Sequence, residues 1–258
     1  SAPASVASDT AGLTASVPNV PGQTFLWNLT GGTITEGQGT SQITFTSGDP
    51  GTTMTLEVVA EATNGCQTEA TADISVDYLD VAASDPFREF INTITRNGVT
   101  AGCGGGNYCP DQLVTRAQMA IFLLVSKNGA AYTPPPATGL VFLDVPANAF
   151  AAAFIEALFA AQVTSGCGGG NYCPDYFITR AEMAVFLLRM LEGPTYNPPP
   201  ATGTVFGDVG INDFAAAWIE EIADRGITGG CGGGNYCPNA FVSRAHMAVF
   251  LVTTFELE

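Results

Sequence analysis

The sequence predicts a multidomain chain, an N-terminal all-β sandwich followed by a mainly α region in which one unit is written three times. Three observations predict it. The stretch Gly-Cys-Gly-Gly-Gly-Asn-Tyr-Cys-Pro begins at Gly102, Gly166 and Gly230, a constant offset (166 − 102 and 230 − 166, both 64). The same offset carries Asp80-Val81 to Asp144-Val145 and Asp208-Val209. It also carries Thr115-Arg116-Ala117 to Thr179-Arg180-Ala181 and Ser243-Arg244-Ala245, so a whole structural unit recurs and not just a turn. Ahead of Tyr78, short apolar runs alternate with Gly, Asp and Asn turns, the pattern of strands.

Composition sets the outer limits. The chain has 258 residues, 46% of them hydrophobic, ample for buried cores. No window approaches the roughly 20 apolar residues of a membrane span. Eight Lys and Arg against 24 Asp and Glu give a formal charge of −16, which repels nucleic-acid backbones and anionic lipid. Charged residues are only 12% of the chain, too few for self-repulsion to keep it unfolded.

Six of the seven cysteines form Cys-x5-Cys pairs, one per repeat, and there is a single histidine. Two thiolates per repeat fall short of the four ligands usual for zinc. The pairs therefore read as local disulfides, Cys103 with Cys109, Cys167 with Cys173 and Cys231 with Cys237, and no metal or cofactor is expected. Closing so short a loop stabilises the fold by roughly 2 kcal/mol per bridge in the chain-entropy model. Such bridges imply an oxidising compartment outside the cytoplasm. Ser1-Ala2-Pro3 opens directly into small, polar sequence, as expected of a processed secreted chain or a fragment of a longer one.

Taken in order, residues 1 to about 17 read as a linker or an edge strand. Strands are expected at Phe25-Leu26-Trp27, Ile43-Thr44-Phe45, Met54 to Val59 and Ile74-Ser75-Val76, with Trp27 as the core anchor. Trp27 to Ile34, Gly37-Gln38-Gly39-Thr40 and Asn64-Gly65-Cys66 together resemble the PKD-like and immunoglobulin-like domains of bacterial surface proteins. That resemblance, over about residues 10 to 77, implies a spacer or adhesive module without catalytic residues. Cys66, the odd cysteine, is expected to be buried and inert, with pairing to another chain as the alternative. Asn28-Leu29-Thr30 matches a glycosylation sequon that is frequent by chance.

From Tyr78 each repeat reads as a helix, the glycine loop and a second helix. In the second repeat Phe150, Phe154, Ile155 and Leu158 follow helical spacing, and Gln162 to Gly166 end the helix. After the loop, Met183, Phe186, Leu187 and Met190 fall on one helical face. Thr179 with Glu182 forms a capping box, as does Thr115 with Gln118. Ser243 with His246 lacks the carboxylate, so the third cap should be weaker. The triple prolines Pro134-Pro135-Pro136 and Pro198-Pro199-Pro200 favour extended spacers that hold neighbouring repeats apart. Module limits follow at 1–77, 78–133, 140–197 and 204–258.

Residues 78 to 258 resemble three S-layer homology domains. The matching features are Phe142-Leu143-Asp144-Val145, Phe206-Gly207-Asp208-Val209, Gly226-Ile227-Thr228-Gly229, and Pro174-Asp175 through Ile178-Thr179-Arg180-Ala181-Glu182-Met183-Ala184. The Cys-Gly-Gly-Gly-Asn-Tyr-Cys loop departs from the acidic-Gly loop of that family, and Tyr78-Leu79-Asp80-Val81 from its aromatic opening. The resemblance implies a pseudo-threefold arrangement with grooves between neighbours that bind cell-wall-linked polysaccharide, often with an acidic substituent such as pyruvate. It implies non-covalent attachment at the bacterial cell surface, cell wall or S-layer.

The residues give their own reason for glycan or anion binding. Arg116, Arg180 and Arg244 each stand in the first turn of a helix, where backbone N–H groups and the macrodipole favour negative charge. The alternative is that each arginine salt-bridges locally, for example to Asp111 or Asp175, and orders the loop. No enzyme is expected, since the lone His246 cannot serve three repeats and no phosphate loop or paired His ligands occur. A second class stays open, a self-assembling protomer of an extracellular filament, sheath or S-layer array that pairs through its N-terminal strand.

Overall fold

Seven strands occupy the N-terminal part of the computed structural model, which describes residues 1–258. They are β1 (Ser5–Ala7), β2 (Leu13–Ser16), β3 (Thr24–Thr30), β4 (Thr33–Glu36), β5 (Gln42–Thr46), β6 (Thr53–Glu61) and β7 (Gln67–Asp77). One sheet runs β1-β7-β6-β3 and the other β2-β5-β4. The alternating pattern decides which faces meet: Phe25 and Trp27 of β3, Ile43 and Phe45 of β5, Met54, Leu56 and Val58 of β6, and Ile74 and Val76 of β7 fill one core. Trp27 is buried, and its indole N–H donates to Thr40 O at 2.8 Å. On the β3 edge the Gln38 amide accepts from Trp27 N (2.9 Å) and donates to Trp27 O (2.7 Å), standing in for a neighbouring strand.

Residues 1–17 are edge strands of both sheets. β1 pairs in parallel with β7 through Val6 and Val76, and β2 pairs antiparallel with β5 through Leu13 and Phe45. Cys66 is exposed, which corrects the expectation that it is buried. It sits in the β6–β7 turn beyond the last cross-strand pair, Glu61 with Gln67, where Ala62 N donates to Cys66 O (2.9 Å).

Compactness divides the chain into Ser1–Arg96 with Ala101–Cys109, and Asn97–Thr100 with Pro110–Glu258. The first helix, α1 (Arg88–Arg96), thus folds with the sandwich. Asp77, at the end of β7, is the reason: its carboxylate accepts from Arg88 Nε (2.8 Å) and Nη2 (3.0 Å) and from Asn92 Nδ2 (3.3 Å). That paired geometry raises the Arg88 pKa, chiefly through the Asp77 hydrogen bonds and against the cost of burial.

The second unit contains α2 (Arg116–Asn128), α3 (Ala152–Ala160), α4 (Arg180–Glu192), α5 (Ala216–Asp224) and α6 (Arg244–Phe255). The long helices α2, α4 and α6 pack on one another, α3 packs on α2, and α5 packs on α4. Met183, Phe186, Leu187 and Met190 face this core, as do Met119, Phe122 and Leu123 of α2 and Met247, Phe250 and Leu251 of α6. In α3, Ile155 and Leu158 are buried, but Phe150 precedes the helix and is 66% exposed, so it lies off the helical face the spacing gave it.

The proline segments are straps and not spacers. Pro134 and Pro198 are buried, and Glu156 of α3 accepts from Thr138 N (2.8 Å), Thr138 Oγ1 (3.0 Å) and Gly139 N (2.7 Å). Glu220 of α5 repeats this with Thr202 N (2.6 Å) and Gly203 N (2.7 Å). The following helix is thereby drawn onto the preceding one, and extended proline geometry supplies the reach without adding an entropy cost. Replacing Trp27 by Ala should destabilise the sandwich by about 3–5 kcal/mol through the cavity it leaves. Denaturant unfolding followed by loss of the sheet circular dichroism signal measures this, and a cost under about 1 kcal/mol would remove Trp27 as the anchor.

Candidate functional site

The three repeats meet where the long helices begin. Thr115, Thr179 and Ser243 are the N-caps, each accepting from the backbone N–H three residues on, and the first two complete capping boxes with Gln118 and Glu182. In the third repeat His246 Nδ1 meets Ser243 Oγ at 2.9 Å in place of the carboxylate. Burial holds the His246 pKa below its usual value, helped by Arg180 and opposed by Asp111, so its neutral form is favoured.

Just before the caps, three buried residues close a ring of main-chain hydrogen bonds. Val114 N donates to Val242 O (2.9 Å), Val242 N to Ile178 O (3.0 Å) and Ile178 N to Val114 O (3.0 Å). The next amides extend it, with Arg116 N to Tyr176 O (2.8 Å), Arg180 N to Ala240 O (2.9 Å) and Arg244 N to Gln112 O (2.8 Å). Ala117, Ala181 and Ala245 donate to Pro174, Pro238 and Pro110. The first-turn N–H groups, which in an isolated helix end would be orphan donors for an anion, are taken by carbonyls of a neighbouring repeat.

The three arginines lie beneath this surface, at 4%, 6% and 4% exposure for Arg116, Arg180 and Arg244. Arg116 Nε donates to Tyr172 O (2.9 Å), the Tyr172 hydroxyl donates back to Arg116 O (2.8 Å), and the guanidinium lies 5.0 Å from the Tyr172 ring. Arg180 repeats this with Tyr236 at 2.8, 2.7 and 4.7 Å. Arg244 lies over the Phe122 ring at 5.7 Å, and its Nη2 donates to Thr100 Oγ1 (3.3 Å). The carboxylate that meets Arg116 is Glu182, at 3.0 Å on the next long helix. Burial lowers the Arg180 pKa, opposed by Tyr236 and Asp208, and burial pushes both tyrosine hydroxyls well above their usual range. A guanidinium still stays charged at any physiological pH.

The disulfide loops hold those tyrosines. Cys103–Cys109, Cys167–Cys173 and Cys231–Cys237 are bridged, each with Cα atoms 6.0 Å apart. The repeated aspartate caps the loop from inside: Asp144 accepts from Tyr172 N (2.8 Å) and Cys173 N (2.7 Å), Asp208 from Tyr236 N (2.7 Å) and Cys237 N (2.8 Å). Asp80 does the same for Tyr108 and Cys109, both at 2.7 Å. Gly166 must be glycine, because its φ is +92° and a Cβ would meet Asn171 O at 2.2 Å. Asp80, Cys103 and Cys109 come close enough together to suggest a metal, but the two sulfurs are spent on each other.

The aspartates, Tyr172 and Tyr236, and the strap carboxylates carry most of this geometry, and sequence reasoning gave them no role. Their signal was present in the constant offset. Gln162 was equally visible: it stands at φ 57° where the other repeats place Gly98 at 65° and Gly226 at 71°, a left-handed backbone that costs a side-chain-bearing residue about 1 kcal/mol.

A helix–loop–helix unit whose copies interlock through their helix starts defines a tandem repeat module, and comparison with known proteins agrees. The PKD-like domain family matches residues 1–76, and the S-layer homology domain family matches residues 77–120, 141–184 and 205–248. The chain belongs to the S-layer homology family, with a PKD-like domain at its N-terminus. It is 28% identical over 181 residues to an S-layer protein of Bacillus licheniformis, covering 69% of this chain and 20% of that protein. It is 31% identical over 127 residues to S-layer protein EA1 of Bacillus anthracis, covering 49% and 14% respectively. It is 24% identical over 156 residues to a cellulosome-anchoring protein of Acetivibrio thermocellus, covering 60% and 35%. The chain thus spans well under half the length of each of these relatives. It is an extracellular, cell-surface chain, and none of its helices is long and apolar enough to cross a membrane.

Removing the Arg180 side chain strands the buried Tyr236 carbonyl, so Arg180→Ala should cost about 2–3 kcal/mol. It should also speed amide hydrogen exchange in the third disulfide loop, and unchanged exchange there would remove the arginine as a staple. Burial raises and amide donors lower the pKa of Glu156 and Glu220, with a net depression in both. A depressed folded pKa means the straps' contribution is complete above the ordinary glutamate range, near pH 4.3, and is lost as pH falls through the lower folded value. Limited proteolysis by an acid-active protease should therefore cut at 132–139 and 196–203 as the pH drops below about 4. Glu156→Gln with Glu220→Gln should abolish that pH dependence.

Proposed function

We propose that the three repeats, taken as residues 78–133, 140–197 and 204–258, attach the chain non-covalently to cell-wall-linked polysaccharide. The sandwich serves as a spacer or adhesive module, and no step of this function is enzymatic. The observation that carries the reading is the closed ring through Val114, Ile178 and Val242, which locks three copies of one unit in fixed register. A polymer of repeating sugars is the matching ligand, because each linked contact raises the effective concentration for the next. The family match and a relative named as anchoring a cellulosome support it.

In this reading Arg116, Arg180 and Arg244 supply the positive potential of the grooves from below the surface, while their side-chain donors fix the loops that form the walls. The other reading, a protomer of a filament or array, draws on β1, a three-residue edge strand open to a neighbour. Analytical ultracentrifugation at rising concentration separates them, since an array protomer grows and an anchor stays monomeric. The direct test is co-sedimentation with purified cell-wall glycan. The parent chain should pellet with the wall and each Arg→Ala variant should pellet less; unchanged binding in all three variants would leave the arginines with a structural role only.

A further inference from the structure

Strand β7 is 11 residues long, but β1 covers only its end, with Ser5 to Ala7 against Ser75 to Asp77. Ahead of β1 the chain leaves this edge for the other sheet, where Ser16 N donates to Ser1 O (2.8 Å). On the β1 side, Ser75 N donates to Ala4 O (3.1 Å) and Asp77 O accepts from Ser8 N (3.0 Å). Main-chain groups alternate sides along a strand, so Glu69, Thr71 and Asp73 turn their N–H and C=O to this same side, where no strand pairs with them. An open row of this kind is a template for one more strand.

Beneath that row the core runs short. Ile74 and Val76 fill it, but the preceding inward positions are Ala72 and Ala70, which border a cavity of about 230 Å³ with Trp27, Leu56, Val58 and Ala15. An apolar cavity of about 150 Å³ already accepts benzene. This one has room for a branched apolar side chain arriving between the two sheets. The outer face of the same strands is acidic, with Glu57, Glu61, Glu69 and Asp73 all exposed. Glu57, Glu61 and Asp73 accept hydrogen bonds from the neutral Asn28, Gln67 and Thr55, which leave their charges uncompensated.

We propose that residues 67–73 of β7 are a docking edge for an extended strand of another protein, apolar on its inward face and basic on its outward face. In an antiparallel register, five partner residues in the order basic, apolar, neutral, apolar, basic lie beside Asp73, Ala72, Thr71, Ala70 and Glu69. The outward cations then meet the two carboxylates, and the inward side chains enter the cavity. A second copy of this chain does not fit, because none of its strands carries Lys or Arg and any of them would bring no cation to an acidic face. This gives the adhesive role proposed for the sandwich a surface and a partner. It concerns that edge alone, so its failure leaves attachment through the repeats standing, and the reverse also holds.

The probe is the peptide acetyl-Ser-Lys-Val-Thr-Ile-Lys-Ser-amide, titrated into the full chain at low salt, with a counterpart carrying glutamate in place of both lysines. At saturation, amide hydrogen exchange should slow by about tenfold or more at Glu69, Thr71 and Asp73. Ala70 and Ala72, whose amides point to β6, should change little. The glutamate peptide should not bind, and added salt should weaken the lysine peptide. Thr71→Pro removes a donor that faces away from β6, so the sandwich keeps its ladder and the peptide's protection should disappear. Glu69→Lys with Asp73→Lys should weaken the lysine peptide about tenfold and admit the glutamate peptide. Exchange unchanged at the three amides, equal binding of the two peptides, or an unaltered response in the charge-swapped chain overturns the proposal. So does a chain that sediments as a dimer with those amides already protected, because the edge then pairs with itself. If Thr71→Pro does not fold, the charge swap decides alone.

Discussion

The second compact unit depends on one constraint, that the three helix starts satisfy one another's main-chain groups. Val114, Ile178 and Val242 are buried, so an unpaired amide at any of them would carry a desolvation penalty of about 1–3 kcal/mol. The ring answers each one with the carbonyl of the preceding repeat, the first repeat turning to the third, and the sequence of donors closes only after three steps. Everything outside it follows from that closure. At the caps Thr or Ser answers the third amide with its side chain, and the arginine that follows in the first two repeats reaches across to the tyrosine carbonyl of the next repeat's loop.

From the ring, dependence runs outward through the Arg–Tyr exchange to the disulfide loops. Arg180 holds the carbonyl of Tyr236 and receives its hydroxyl, while Asp208 holds the amide of the same tyrosine. Tyr172 and Tyr236 are thus each fixed at nitrogen, oxygen and hydroxyl, and the adjacent disulfide narrows what the glycine-rich loop would otherwise explore.

The sandwich and the repeat were legible because their signals are periodic: alternation placed Trp27, Ile43 and Phe45 inward, and the offset placed the caps and the cysteine pairs. What was not legible depends on contacts between distant segments. Arginine at a helix start suggested either a cation for an anionic ligand or a local ion pair with Asp111 or Asp175, whereas Arg116 and Arg180 are held by the carbonyls of Tyr172 and Tyr236, and main-chain carbonyls leave no mark in a sequence. Proline stiffness was read as a spacer, but whether such a segment separates or binds its neighbours was decided by Glu156 and Glu220, further along the chain. Phe150 kept helical spacing by coincidence, since the chain turns into α3 only after Ala151, which has φ 59°.

The ring also sets an order of events during biosynthesis. Its bond from Val114 N ends on Val242 O, so the donor is made long before its acceptor exists (242 − 114 = 128 residues). A nascent chain that has completed two repeats therefore still holds Val114 N without its ring acceptor and α2 and α4 without the α6 face they pack on. The second compact unit therefore cannot close its ring until the segment leading into α6 is made, whereas the sandwich has its own core from the outset.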